Sequence, residues 1–375
     1  MKLAITGGYG FLGWHLACRL RALHGIEPIR VGRKDFIDPL LLAETLAEVD
    51  VVIHLAGVNR AATEDRVEAD NIALAQAVAT ALGGRAVHIV YGNTIHAGGD
   101  TAYGRGKRRA AEILAALPGT LADVQLPNLF GEHGRPAYNS FVATFCHEVA
   151  HGRAPAVTSD KPVPLLHAQD AAEHLIQAAL RRESAAEQPA GDVRNVSAVL
   201  ALIEGFQDLY AECGELPDLS TPFAVNLFNT YRSYGFPAQF PIFPTVHSDD
   251  RGDLYETVRA HGGTGQAYVS TTVPGATRGE HYHLRKVERF IVVSGEAEIS
   301  LRRLLHDEVV TLRLSGSRPA FVDMPTMWVH NIHNIGEGDL VTMFWSDQLL
   351  DPARPDQFPE RVLLSGSRAA KEAPA

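Results

Sequence analysis

Cysteine is scarce in this chain. Cys18, Cys146 and Cys213 are the three present in 375 residues, and they lie far apart. An odd, dispersed set excludes a disulfide framework and a CxxC metal site, and it fits a reducing compartment. Long apolar runs are lacking too. No stretch of about 18 apolar residues occurs, so no membrane-spanning helix is expected. The N-terminal Leu3-Ala4-Ile5 run is too short for a signal-peptide core. A surplus of positive charge is also missing: Lys and Arg number 34 against 44 Asp and Glu, a formal charge of -10. A nucleic-acid footprint is therefore not expected, and Lys107-Arg108-Arg109 reads as an exposed helix face. There is no internal repeat. These absences leave a cytoplasmic globular protein, long enough for two or three domains.

What is present begins at the N-terminus. Lys2 to Thr6 reads as a short buried strand that runs into Gly7-Gly8-Tyr9-Gly10-Phe11-Leu12-Gly13. A helix follows, with Leu12, Leu16, Leu20 and Leu23 at helical spacing. Strand, glycine-rich turn and helix form the setting in which G-x-x-G-x-x-G carries meaning. Gly7 permits the tight turn, Gly10 the approach of a pyrophosphate, and Gly13 the packing of helix on strand. The helix N-terminus then faces the phosphates with its positive end. The second strand, Pro28 to Gly32, ends in Arg33-Lys34 where an acid on the ribose is usual. Arginine suits a 2′-phosphate, which favours NADPH over NADH. A third strand, Asp50 to Val52 and on through Leu55, Ala56 and Gly57, supplies the next wall of a cofactor site.

Further along, Ala86 to Val90 is a strand ending in Tyr91-Gly92-Asn93-Thr94, and Tyr103 and Lys107 share one face of a helix. An ammonium beside a phenol stabilises the phenolate, so Tyr103 becomes a usable proton donor or acceptor. Together these residues resemble the extended short-chain dehydrogenase/reductases over roughly residues 1–240. The resemblance implies that Thr94 orients the substrate oxygen, that Tyr103 is the acid/base and that Lys107 also holds the nicotinamide ribose. One departure is Gly92-Asn93-Thr94, where such enzymes carry a serine-rich triplet. Leu126-Pro127-Asn128 and Tyr138-Asn139-Ser140 resemble the substrate side of nucleotide-sugar members. Asn128 and Asn139 either donate to a sugar diphosphate or make Asx turns.

Gly191 to Tyr210 reads as the helix that closes this domain. Pro237, Pro241 and Pro244, set among Phe236, Phe240 and Phe243, then mark a packed, extended connector. Beyond it the pattern becomes many short β-rich runs, including Gln266–Val273, Arg289–Val293 and Leu340–Trp345, as an antiparallel barrel demands. Ser365 to Ala375 reads as a frayed polar tail. The expected division is 1–243, an α/β Rossmann-type domain, and 244–375, an all-β barrel.

Within the barrel half, Gly275, His281, His283, Glu288 and Gly295 stand at G-x5-H-x-H-x4-E-x6-G. His281 and His283 share a strand face because side chains alternate with period two. With His330 from another apolar run they make three imidazoles and one carboxylate, a donor set suited to zinc. The spacing resembles the first cupin motif at every fixed position. In the second motif Pro325, His330 and Asn334 keep their places, while Pro319 and Met327 replace glycines. His281 has a second reading, because Arg278-Gly279-x-His281 resembles the base-bearing segment of the metal-free deoxysugar 3,5-epimerases. A histidine there removes a proton beside a ketone.

A reductase domain joined to such a cupin resembles the bifunctional epimerase/reductases of bacterial capsule and O-antigen synthesis. The resemblance implies a UDP-sugar substrate bound partly by Arg278, C3 epimerisation in the cupin, NADPH reduction of the C4 ketone, and a homodimer. The alternative is a nucleotide-sugar epimerase/dehydratase that retains its NAD and carries a non-catalytic, sugar-binding or dimerising cupin.

Overall fold

The computed structural model describes residues 1–364 and the two-residue strand β21 (Lys371–Glu372). The rest of the tail read at 365–375 lies outside the described residues. The chain forms two compact units, one of residues 1–130 and 161–194, the other of 131–160 and from 195 onward.

The first unit is built on strands β1 (Leu3–Thr6), β2 (Ile29–Val31), β3 (Val51–His54), β4 (Val87–Thr94), β5 (Gly119–Leu126) and β8 (Ala185–Glu187). They pair in the order β2-β1-β3-β4-β5-β8, all parallel. Helices α1 (Phe11–His24), α2 (Arg33–Ile37), α3 (Pro39–Leu46), α4 (Glu64–Leu82), α5 (Ala102–Ala115) and α7 (Ala168–Arg181) connect them. β1 and β3 are buried at every position, as expected for strands covered on both faces. A smaller sheet holds β6 (Asn128–Phe130), β7 (Pro162–His167) and β9 (Asp192–Asn195). The strand order reverses between β1 and β3, and in open α/β sheets ligands bind at such a point, beyond the strand ends. There Thr6 Oγ1 accepts hydrogen bonds from Leu55 N and Ala56 N, both at 3.2 Å. One threonine thus ties the glycine-rich turn to the turn after β3.

The second unit gathers α6 (Phe141–Ala150), α8 (Val196–Phe206) and α9 (Pro222–Gly235) with the barrel. The segment from Gly191 to Tyr210 is strand β9 followed by α8, not one helix; β9 completes the small sheet, and tertiary pairing overrides its local pattern. The connector packs as expected at Phe240, which is buried, whereas Phe243 is exposed under the Arg318 guanidinium. An exposed hairpin, β10 (His247–Asp249) and β11 (Gly252–Leu254), precedes the barrel. The barrel strands are β12 (Gln266–Thr272), β13 (Thr277–Tyr282), β14 (Glu288–Ser294), β15 (Glu296–Arg303), β16 (Val309–Ser315), β17 (Phe321–Met324), β18 (Trp328–Asn334), β19 (Leu340–Ser346) and β20 (Phe358–Pro359). One sheet runs β12-β19-β14-β17 and the other β20-β13-β18-β15-β16-β21. The architecture is a Rossmann-type α/β domain followed by an all-β cupin barrel.

A buried ion pair anchors the barrel to the segments before it. Arg289 on β14 makes a bidentate contact with Asp323 on β17 at 2.8 and 2.9 Å, and Arg289 Nη1 donates to Thr257 O at 3.2 Å. Both side chains are excluded from water. Such a pair adds little against an apolar substitute, but removing one partner leaves a lone buried charge. Asp323→Asn is therefore expected to destabilise the barrel by about 3–5 kcal/mol, read as a lowered urea midpoint.

Candidate functional site

In the first unit the glycine-rich turn is fixed by close backbone contacts. A Cβ on Gly13 would lie 2.3 Å from Gly7 O, so only glycine lets α1 begin there. Gly7 itself has a φ of 69°. Phe11 and Leu12 open α1 with no side-chain cap, which leaves their amide end of the helix facing the turn. Arg33 is exposed as the first residue of α2. The nearby acid, Asp35, is already engaged: its Oδ2 accepts Gly32 N at 2.7 Å and caps that helix. Arg30, one strand position before Val31, lies over the Tyr9 ring at 4.5 Å from the centroid.

Thr94 ends β4, and its Oγ1 accepts His96 N at 3.3 Å, capping the following 3-10 turn. Asn93 is buried, with Oδ1 accepting Thr94 N at 2.9 Å. Tyr103 and Lys107 stand one turn apart on α5, as the spacing predicts. Of the Lys107-Arg108-Arg109 run expected on an exposed helix face, Arg108 and Arg109 are exposed but Lys107 is buried; it donates to Gly92 O at 2.8 Å and lies 4.1 Å from the centroid of the Tyr91 ring. Burial lowers its pKa to about 7, with Asp123 opposing the shift. Asn128 begins β6 and is half-buried; Asn139 is exposed just before α6. Ser140, not Asn139, caps that helix.

The second site lies within the barrel. A bulge in β13, at Gly279 and Glu280 with φ of 96° and 58°, shifts the register so that His281 pairs with His330 on β18. Gly279 suits that conformation; Glu280 bears it and is secured by Asn331 Nδ2 at 2.8 Å and Val362 N at 2.7 Å. His283 follows the strand, and Glu288 begins β14. One nitrogen or oxygen from each of His281, His283, Glu288 and His330 lies within 4.8 Å of the others. The structure thus brings together all four residues that the motif nominated.

The hydrogen bonds fix which atoms converge. His283 Nδ1 donates to Asp356 O, and His330 Nδ1 faces Trp328 O at 3.1 Å. His281 bonds the Gly279 backbone, while its Nε2 has no partner. Each ring therefore directs a lone pair, through Nε2, at the cluster. Glu288 Oε2 is 3.0 Å from His283 Nε2 and 3.4 Å from His330 Nε2, the latter without hydrogen-bond geometry. Burial and the neighbouring imidazoles lower His281 to about 3, and burial lowers His330. Burial alone would raise Glu288, but the His283 and His330 rings outweigh it and hold the carboxyl well below its usual range. A divalent cation requires an ionised carboxylate and unprotonated imidazole nitrogens, and the lowered His281, His330 and Glu288 lie in that direction.

Residues other than the four converging ones support this geometry. Asp356 accepts Leu284 N, Arg285 N and Lys286 N at 2.8, 2.8 and 2.7 Å, so it clamps the turn between His283 and Glu288. Asp347 Oδ1 accepts Val287 N at 2.9 Å. Glu288 Oε1 takes Tyr268 OH at 2.9 Å and Lys286 Nζ at 3.1 Å, which leaves Oε2 for the cluster. Met327, where the cupin motif has glycine, adopts a φ of 59° and donates to His283 O at 2.7 Å. The turn keeps its left-handed form, at a cost of about 1–2 kcal/mol. Arg278, on the exposed end of β13, is held by Thr272 Oγ1 at 2.9 Å and Thr271 O at 2.8 Å.

Comparison with known proteins covers both halves. Residues 3–196 match the NAD dependent epimerase/dehydratase family, and residues 247–358 match the polysaccharide biosynthesis C-terminal domain. The chain is 31% identical over 370 residues to the UDP-2-acetamido-2,6-beta-L-arabino-hexul-4-ose reductase of Pseudomonas aeruginosa, covering 96% of this chain and 98% of that one. The crystal structure of the capsular polysaccharide assembling protein CapF of Staphylococcus aureus is similar at 28% identity and a TM-score of 0.58, over 96% of this chain and all of that one. A UDP-N-acetylglucosamine 4-epimerase of Methanobrevibacter ruminantium shares the fold of the first part, at 16% identity and a TM-score of 0.53, over 62% of this chain and 97% of that one. The chain belongs to the NAD-dependent epimerase/dehydratase family, in the CapF-like group that joins this domain to a polysaccharide biosynthesis C-terminal domain.

Proposed function

We propose that the chain is a bifunctional nucleotide-sugar enzyme. Residues 1–243 reduce the C4 ketone of a UDP-2-acetamido-2,6-dideoxy-4-hexulose with NADPH, and residues 244–375 epimerise C3 beforehand. The observation that carries the reading is the buried His281, His283, Glu288 and His330 cluster, in a chain that also holds Tyr103 and Lys107 beyond a glycine-rich turn. The names of its relatives support the substrate class.

A bound NADPH would supply the hydride for C4, leaving NADP⁺, while Tyr103 gives its proton to O4, so that the ketone becomes an alcohol. Lys107 favours the phenolate that Tyr103 leaves behind. Thr94 orients the ketone oxygen, and Asn128, Asn139 and Arg278 contact the UDP-sugar at the two sites. Gly7, Gly10, Phe11, Leu12 and Gly13 receive the pyrophosphate; Leu55, Ala56 and Gly57 flank the cofactor. Arg33 takes the 2′-phosphate. That choice is supported by the engagement of Asp35 with Gly32 N, which withdraws the acid from the ribose.

In the barrel, His281, His283, His330 and Glu288 Oε2 would hold a divalent metal, with zinc favoured by the donor set. When bound, such an ion would polarise the ketone oxygen and acidify the C3 hydrogen; in the second reading of His281, its Nε2 takes that proton as the base and a proton is returned to the other face of C3. His281 is read as a ligand because its lone pair points into the same space as those of His283 and His330. It is also the half-buried member of the cluster, so it borders the substrate side. Burial of the other three excludes water from the reacting centre.

Two outcomes are expected. Tyr103→Phe should reduce NADPH oxidation by about 10²–10⁴-fold while deuterium exchange at C3 from heavy water continues. His281→Ala should lose that exchange and the bound metal, yet still reduce the already epimerised ketone. Unchanged exchange in His281→Ala would overturn the catalytic barrel, and retained NAD without NADPH consumption would favour an epimerase or dehydratase.

The clamp on the ligand-bearing turn gives a separate expectation. Asp356→Ala frees three amides and the turn that sets His283 and Glu288 apart. Metal affinity, measured by competition with a chelator, should fall by about 10–100-fold.

A further inference from the structure

Lys107 poses an electrostatic problem that its motif does not solve. The side chain is 3% exposed, and a buried ammonium is driven toward the neutral amine. A neutral amine would no longer favour the Tyr103 phenolate. Of the three N–H donors of the ammonium, one reaches Gly92 O at 2.8 Å; the Tyr91 ring face lies 4.1 Å from Nζ. The ring contributes a cation–π attraction, but it carries no charge.

The titratable groups around Lys107 are few. They are His54 on β3, Tyr91 on β4, Asp123 on β5 and Tyr103 one turn earlier on its own helix. Glu68, from the packed helix α4, is engaged by Arg105 at 2.8 Å. His54 stacks on Tyr91, with ring centroids 5.5 Å apart, and burial lowers it to about 3, so it stays neutral. Among the described residues, Asp123 remains as the source of negative charge acting on Lys107. It is the register partner of Tyr91 on the neighbouring parallel strand, so the two side chains leave the sheet on the same face. Asp123 Oδ1 is buried without a hydrogen-bond partner, and Oδ2 has a 3.5 Å contact from Gln125 Nε2. A carboxylate oxygen left so is costly unless a nearby positive charge offsets it.

We propose that Asp123 is the counter-ion of Lys107, acting across the ring of Tyr91, and that Asp123 and Tyr91 together hold the ammonium charged and in place for the proton transfer. The inference rests on the roles given above to Tyr103 and Lys107. Asp123 is a positioning residue that acts through Lys107 and leaves the reacting atoms untouched.

The test is the pH dependence of NADPH oxidation with the UDP-4-keto sugar. Reduction needs Lys107 protonated, so the rate falls as pH rises through its pKa. Asp123→Asn should move that alkaline limb down by about one pH unit, and Asp123→Glu should restore part of the shift. Tyr91→Leu, which keeps the carboxylate and removes the ring, should move the limb in the same direction. It also serves where Asp123→Asn does not fold. A rate lowered equally at every pH, or an unmoved limb in the folded variants, overturns the proposal. Failure of the underlying reading looks different: Lys107→Met would then reduce the ketone at the wild-type rate.

Discussion

Three imidazole lone pairs and a carboxylate aimed at one point repel one another unless a cation lies between them. That constraint organises the barrel. His283 and His330 cannot relieve it by rotating their tautomers, because each Nδ1 is committed to a backbone carbonyl. Glu288 cannot relieve it by turning away, because Tyr268 and Lys286 hold its other oxygen. Asp356 and Asp347 fix the intervening turn through its amides. The segment that follows β20 is spent on this support: Glu360 Oε1 accepts from the buried Arg302 at 2.8 Å, and Val362 N donates to Glu280. The strain at Glu280 and Met327 is tolerated within the same frame.

The reductase half faces the opposite problem. There a positive charge is buried against an aromatic face and a carbonyl, with Asp123 on the strand paired to the one that carries the ring. The barrel gathers anionic and lone-pair donors and needs a cation from outside. The Rossmann-type domain carries its own cation and needs internal negative charge. Both arrangements keep an ionisable group ready to act at a point from which water is largely excluded.

Much of this was legible in the sequence, and the reason is periodicity. Strands β12, β14 and β19 fall within a residue of the β-rich runs at Gln266–Val273, Arg289–Val293 and Leu340–Trp345. The cluster itself was legible because His281, His283 and Glu288 lie within eight residues at fixed spacing. Its supports were not. Asp356 and Asp347 act from loops some 60 to 70 residues away, through backbone amides that carry no side-chain signature. Asp123 carried no such signal either, because with Leu121 and Gln125 it falls on the half-buried face of an alternating strand. Met327 was visible as a lost glycine, but whether the turn would survive depended on packing and on the His283 carbonyl. The division into compact units was also hidden, because 131–160 and 195–235 follow the barrel only through tertiary contact.

Under the proposed reaction, the order of the two steps follows from the ketone. While C4 is a ketone, the neighbouring C–H is acidic and the C3 centre can invert in either direction. Once hydride reaches C4 that acidity is gone, and the configuration is fixed. Epimerisation alone reaches only its equilibrium, and the less stable isomer would stay a minor species. Irreversible consumption of that isomer by NADPH draws the mixture through. The reductase therefore decides which epimer leaves the enzyme, and the barrel decides how fast that epimer is supplied. On this view the demands on the two sites differ. The barrel has to acidify C3 without holding one epimer tightly, which an open cation-centred site allows. The reductase has to discriminate at C3 while reacting at C4, which requires a fixed acid, and hence a fixed and charged Lys107 beside it.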